Sequence, residues 1–309
     1  MRKKLKVVML LFMALIILGT GCSSNADDTF TGDADYKKLS LRLLRIVKFA
    51  SKHPATVFMY LLTRDWAFVE ASRILDARKI ASLRSTVSTE LDDLEHYLGL
   101  PERVVAMNMA KGAQLVANRW RQENPQTSQK VYEFYQHCSE YLYDLAEWNM
   151  MNPLYRRLSF LLNGEQGGIC LSFGGGIGSE ALKLAAQGNR VFYIDVPDSP
   201  VWKFAQWRAH QRHVSINFTA VVPKDVLFDC IVAFDVFEHL EKEELVKILG
   251  EMTFVLKPGG RLYCHNNFEV STEDSAPYSM HRDHRQLWAS LVSQLHLSRI
   301  NDNLYMKPV

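Results

Sequence analysis

The chain has 309 residues, enough for one large domain or two of ordinary size, and 48% of them are hydrophobic, which excludes disorder as the main state. Its formal charge of +2 is too near neutral to mark a nucleic-acid partner, because such partners leave a strongly basic surface.

The first residues stand apart from the rest. Arg2, Lys3, Lys4 and Lys6 precede an apolar run from Val7 to Leu18, followed by Gly19, Thr20, Gly21 and Cys22. Positive charge, a short apolar stretch and small residues, in that order, read as an export signal. The run of 12 residues is shorter than the roughly 20 that a helix needs to cross a bilayer. The small residues before Cys22 resemble a bacterial lipoprotein signal, which implies lipidation of Cys22 and a membrane-attached N-terminus; Gly19 stands where that pattern usually has leucine. The alternative is an uncleaved signal anchor that keeps the protein on the cytoplasmic face. Residues 23–35, polar and acidic, then form a linker. The remainder divides into a helical region, 36–165, and a second domain, 166–309.

Between Asp35 and Leu162 apolar residues recur at helical spacing, as in Leu39, Leu43, Ile46 and Val47 and again in Phe68, Ala71, Ile74 and Leu75. Breaks at Pro54, Pro101, Pro125 and Pro153 predict four or five helices, since proline lacks the amide and restricts the residue before it. The stretch from Phe134 to Asn149 is unusually aromatic, and its Tyr141, Leu145 and Trp148 fall on one helical face.

From Ile169 onward short apolar runs alternate with amphipathic segments. The pattern predicts strands at Ile169–Phe173, Val191–Ile194, Cys230–Phe234 and Arg261–His265, helices at Glu180–Gln187 and Lys242–Val255, and a final hairpin joining Leu295–Ile300 to Leu304–Met306 across Asn301, Asp302 and Asn303. Such alternation predicts an α/β fold, a parallel sheet with helices on both faces. Cys170, Cys230 and Cys264 fall in strands and Cys138 on a helix, where they read as buried free thiols. No metal-ligand spacing such as C-x-x-C is visible. Unpaired thiols suit a reducing compartment, in tension with an N-terminus that points outward.

The first strand runs directly into Phe173-Gly174-Gly175-Gly176-Ile177-Gly178 and then a helix. Glycine is required where backbone lies close to a ligand. The dinucleotide fingerprint G-x-G-x-x-G would demand glycine at Ser179. The second strand ends in Asp195, which can either accept the ribose hydroxyls of an adenosine ligand or cap the helix that begins near Ser199 and Pro200. Downstream lie Phe228-Asp-Cys-Ile-Val-Ala-Phe-Asp-Val-Phe-Glu-His-Leu240 and Val255-Leu-Lys-Pro-Gly-Gly-Arg-Leu262, the latter reading as a tight turn into a strand.

Together, and in this order, these four segments resemble the motifs of class I S-adenosylmethionine-dependent methyltransferases, over about Gly167 to Val309. The resemblance implies a Rossmann-like, mostly parallel seven-stranded sheet, preceded by helices that either pack against it or fold over the cofactor as a lid and build the acceptor pocket. It implies S-adenosyl-L-methionine as cofactor, with Phe173, Gly174, Gly175, Gly176 and Gly178 along it, Asp195 on the ribose, and Phe234 with Asp235 near the substrate. Thr219 to Val222 is the region expected at the adenine. Ser172 departs from the family pattern, which usually has an acid two residues before the first glycine.

In-line attack on the sulfonium methyl depends mostly on orientation, with a base for acceptors that must lose a proton. His265, His281 and His284 are the candidate bases; Glu238 and His239 read as the structural start of a helix. Phe173 and Tyr141 are candidates to face the sulfonium. The acceptor implied is a small molecule or, given a membrane-attached N-terminus, a lipid-like one. Two other functions stand beside this one. A NAD(P)-dependent oxidoreductase is disfavoured by Ser179 and the Pro-Gly-Gly turn, and a membrane-tethered binding module that has lost catalysis accords with Ser172.

Overall fold

The structure, a computed structural model, describes residues 48–63, 65–83, 88–269, 278 and 280–309. Cys22 and the linker lie outside the described residues. The chain divides into two compact units, Met1–Arg73 and Ile74–Val309. In the first, helix α1 (Pro54–Thr63) precedes α2 (Ala67–Ser82), in which the boundary between the units falls. The Tyr60 and Trp66 rings meet edge to face at 5.5 Å, and the hydroxyls of Thr56 and Ser72 are 2.7 Å apart.

The second unit continues with α3 (Glu90–Leu98), α4 (Glu102–Ala110), α5 (Gly112–Glu123), α6 (Ser128–His137), α7 (Tyr141–Met151) and α8 (Pro153–Leu161). The described residues before 162 thus hold eight helices of nine residues or more, not four or five. The extra breaks involve no proline. Thr89 opens α3 through a reciprocal capping box with Asp92, Lys111 alone separates α4 from α5, and Cys138, Ser139 and Glu140 separate α6 from α7.

After α8 come β1 (Ile169–Phe173), α9 (Ser179–Ala186), β2 (Arg190–Ile194), α10 (Pro200–Gln211), β3 (Ile216–Phe218), β4 (Phe228–Phe234), α11 (Lys242–Val255), β5 (Leu256–His265), α12 (Arg285–Gln294), β6 (Ser298–Asn301) and β7 (Leu304–Met306). They form one seven-stranded sheet in the order β3-β2-β1-β4-β5-β7-β6. The first five strands run parallel, β7 is antiparallel to β5, and β6 closes the edge as a hairpin with β7. This is the α/β architecture that the alternation predicted, in the Rossmann-like, mostly parallel seven-stranded form that the resemblance implied.

Successive strand residues point to opposite faces, and both faces are apolar. Leu171, Phe192, Ile231, Ala233 and Cys264 pack on one side beneath α11 and α12, while Cys170, Val191, Tyr193, Cys230 and Val232 pack on the other against α9 and α10. The four described cysteines are buried and free. Strand β5 differs from its predicted form: it starts at Leu256 and absorbs the Lys257-Pro258-Gly259-Gly260 segment. Gly259 does take a positive φ, 74°. Its N–H nevertheless bonds the Lys307 carbonyl and the Lys307 N–H bonds the Gly260 carbonyl, so the last strand converts the turn into paired backbone. Lys257 Nζ lies 2.8 Å from both carboxylate oxygens of Asp229, whose Oδ2 also accepts the Ile169 N–H and so ties β5 and β4 to β1. Among the described residues no helix is long and apolar enough to cross a membrane.

Candidate active site

The parallel strands end together, and their C-terminal ends open into a cavity of about 770 Å³, within the usual range of small-molecule sites. Its first wall is the loop from β1 to α9. Gly174, Gly176 and Gly178 have φ of 63°, 50° and 80°, the left-handed region that L side chains avoid. A Cβ on Gly174 would also lie 2.5 Å from Val236 Cγ2, so this glycine is required by the protein's own packing as well as by any ligand. The loop is pinned from the side. Asp195, at the end of β2, accepts the Gly176 N–H and the Val196 N–H, both at 2.8 Å, and Tyr193 donates its hydroxyl to the Gly176 carbonyl at 2.6 Å. Burial pushes the Asp195 carboxyl above its ordinary range, against the pull of those two amides. The helix after β2 is capped by Ser199, whose side chain accepts the Trp202 N–H, which leaves Asp195 facing the cavity.

A buried ion cluster holds this loop from behind. Arg208, 1% exposed, donates to Asp93 Oδ2 (2.7 Å), to the Ile177 carbonyl (2.8 Å) and to Ser179 Oγ (2.8 Å). Ser179 also accepts from Asn149 and donates to Glu90, so one hydroxyl joins α9 and α10 to α3 and α7. A glycine at 179, as the dinucleotide fingerprint demands, would lose all three bonds.

The second wall lies at the ends of β4 and β5. Asp235 follows β4 with a φ of 54°, rare for a residue with a side chain, and its N–H completes the ladder to the His265 carbonyl. Its carboxylate binds His265 Nδ1 directly, and this hydrogen bond is the main cause that holds the His265 pKa above the ordinary histidine value. Next in the chain, a single turn over Phe237–His239 carries Glu238, fully buried, with His239 facing the cavity. Burial, followed by the nearby Asp235 charge, pushes the Glu238 carboxyl up. His281 joins this wall with its ring 4.8 Å from that of His239; burial, then the His239 charge, lowers its pKa.

Helices α6 and α7 cover the cavity. Tyr135, Tyr141, Asp144, Leu145 and Trp148 line it, with Tyr278 completing the aromatic rim. Tyr278 donates its hydroxyl to Asp144 at 3.1 Å and accepts at its carbonyl from Tyr135. Burial raises the Asp144 carboxyl to about 6 despite that hydrogen bond.

The predicted site residues therefore separate. Gly174, Gly175, Gly176, Asp195, Phe234, Asp235, His265 and His281 all line the cavity. Three do not. Phe173 packs against the sheet core, because its position in the strand alternation turns it away from the opening. Gly178 is the N-cap of α9, with Ala205 Cβ 2.9 Å from where a side chain would start. His284 is buried with Nε2 2.9 Å from the Leu240 carbonyl, which makes it a brace for the start of α12. Thr219 to Val222 lie outside the lining, where Val196 and Val201 stand instead. Sequence reasoning missed His239, Asp144, Tyr135 and Tyr278. The pairing of β4 with β5 brings Asp235 to His265, a relation that spacing does not announce.

The family model described as a methyltransferase domain matches residues 171–264. No curated protein matches the chain. Among solved structures, the 4+2 cyclase SpnF is similar at 21% identity with a TM-score of 0.40, covering 48% of this chain, which spans 58% of the length of that cyclase. The N-methyltransferase NodS from Bradyrhizobium japonicum, in complex with S-adenosyl-L-homocysteine, shares 17% identity (TM-score 0.42; 63% of this chain, 99% of that one). The 1,6-didemethyltoxoflavin-N1-methyltransferase of Burkholderia thailandensis, with bound 1,6-didemethyltoxoflavin and S-adenosylhomocysteine, shares 15% (TM-score 0.42; 64% and 89%).

Proposed function

We propose that this chain binds S-adenosyl-L-methionine and transfers its methyl group to a small-molecule acceptor. One observation carries the reading: a bare glycine loop, a carboxylate at the end of β2 and an Asp–His pair at the ends of β4 and β5 meet in a single cavity, and all but His265, one residue past its end, lie inside the segment that matches a methyltransferase domain. The donor set fits the cofactor. Gly174 to Gly176 present backbone without side chains, Asp195 keeps lone pairs beyond its two amide bonds for ribose hydroxyls, and Tyr135, Tyr141 and Tyr278 supply aromatic faces that suit a sulfonium. When bound, the cofactor supplies an electrophilic methyl on a positively charged sulfur.

The protein's own part is alignment and proton removal. Asp235 fixes the His265 ring through Nδ1, leaving Nε2 to take the proton of an acceptor hydroxyl or amine. The covering helices and the aromatic rim shield that step from water. Ser172, 1% exposed in β1 beneath Gly175, stands inside the core, and what it does to affinity is part of the same test.

Calorimetric titration of the purified chain with S-adenosyl-L-methionine and separately with NAD provides that test. Heat with the first alone is expected. Binding of NAD alone would discard the reading, and binding of S-adenosyl-L-methionine without turnover across hydroxyl and amine acceptors would assign the chain instead to a methyltransferase-like binding module.

A tether at Cys22, and with it a lipid-like acceptor, is proposed on the sequence of the first 22 residues. Palmitate labelling of the wild type but not of Cys22→Ala is the expected result; equal labelling defeats it.

A further inference from the structure

Opposite the glycine loop the structure assembles a ligand set that the methyl-transfer reading does not use. Donor atoms of Glu238, His239 and His281 all lie within 4.8 Å of one another. Two imidazoles and a carboxylate are the donors of open, three-ligand zinc sites. In a tetrahedral site the donors stand roughly 3.3 Å apart, so side-chain rotations moving atoms by about an ångström close the set.

Glu238 supplies the second, independent observation. Its side chain is fully buried; Oε1 accepts the Asn267 N–H at 2.7 Å, while Oε2 has no hydrogen-bond partner. A buried carboxylate oxygen in that condition is costly without a compensating positive charge or donor. Arg282, whose backbone N–H bonds the Glu238 carbonyl, has its guanidinium committed to Glu241 and to the carbonyls of His239 and Met280.

The backbone holds the three ligands together. The Arg282 N–H donates to the Glu238 carbonyl at 2.9 Å, stitching the segment that carries His281 onto the turn that carries Glu238 and His239. The His281 ring also bonds the backbone of Glu269, the kind of outer contact that orients a metal-binding imidazole.

We infer that Glu238, His239 and His281 bind a divalent first-row transition-metal ion of the zinc type. Three protein ligands leave coordination positions free on the cavity side, beside the Asp235–His265 pair. That an acceptor oxygen takes one of them rests on the methyl-transfer reading; the ion itself does not.

The test uses the full chain without a histidine tag, stripped with chelator and titrated with zinc chloride by calorimetry in the absence of any cofactor. One equivalent is expected to bind with a Kd in the micromolar range or tighter. His239→Asn and His281→Asn should each weaken it about tenfold or more. His284→Gln, outside the cluster, should bind like the wild type. Glu238→Gln is a fourth variant, and thermal melts show whether it folds; the two histidine variants, at half-buried positions, decide the outcome if it does not. No saturable binding by the wild type, or a smaller loss in both histidine variants, overturns the site. Because the titration contains no S-adenosyl-L-methionine, failure here and failure of the methyl-transfer reading are separate results.

Discussion

On the side of β1 and β2 the cavity meets backbone: three glycines, the peptide groups between them and one carboxylate that is itself bonded to the Gly176 and Val196 amides. On the side of β4, β5 and residues 280–282 it meets side chains, among them Asp235, His239, His265 and His281. The first wall is made rigid by hydrogen bonds within a loop and by Arg208 behind it, so it offers shape and a fixed polar rim, which suits holding a cofactor. The second gathers titratable groups from three separate chain segments, which suits proton or metal chemistry. In the proposed function, binding and chemistry are divided between the two halves of one sheet edge.

That division can be broken at several points, beginning with the largest effect. Arg208→Ala would leave buried Asp93 with Arg212 alone of its two guanidinium partners, strip the Ile177 carbonyl of its donor and empty the space of a fully buried side chain, and urea denaturation is expected to show a loss of about 3–5 kcal/mol, with weaker cofactor binding because the Ile177 and Ser179 contacts go with it. A loss below 1 kcal/mol would mean that the loop does not depend on its rear support.

His265→Gln is expected to lower kcat by about 10²–10⁴ while leaving the affinity for S-adenosyl-L-methionine within about twofold, since the base acts in the chemical step only. Weakened cofactor binding with unchanged kcat would place His265 on the wrong wall. The base must be neutral to work, so activity should rise with pH through a midpoint above 6.5, the ordinary value, and Asp235→Asn should move that midpoint down.

Asp195→Asn keeps the shape but loses the charge, and calorimetry should report a loss of about 1–3 kcal/mol in cofactor binding through weakened charge-assisted hydrogen bonds. Unchanged affinity would remove Asp195 from the cofactor wall.

The smallest effect concerns the cover. The Asp144 carboxyl titrates at about 6 in the folded chain against about 4 when unfolded. The folded state therefore binds the proton more tightly, and the stability it gains from this group is full below pH 4 and is lost as pH rises through 6. For a half-buried group this amounts to about 1–2 kcal/mol after screening by solvent. Asp144→Asn should flatten that decline between pH 4 and 6 in urea midpoints; identical pH profiles for the two proteins would show that the carboxyl is not perturbed.

How far these walls could be read in advance follows from how each is built. Gly174, Gly176 and Asp195 belong to continuous segments whose local order, strand to glycines to helix and strand to acid, carries its meaning along the chain. The same holds for the strands themselves, because a sheet buried on both faces writes unbroken apolar runs such as Cys230–Phe234. The helices before them were undercounted because a cap such as Thr89 or a single residue such as Lys111 ends a helix without the proline that marks a break.

The amino-acid sequence by itself determined the α/β alternation, the glycine loop and the acid one strand over, because each depends on neighbours within a few residues. Only the tertiary structure decided that Asp235 pairs with His265, that Glu238 and His239 meet His281, and that Ser179 bonds Arg208. Those partners are brought together by strand order and backbone hydrogen bonds between distant segments, and no local periodicity encodes which of several histidines will face a cavity and which, like His284, will brace a helix.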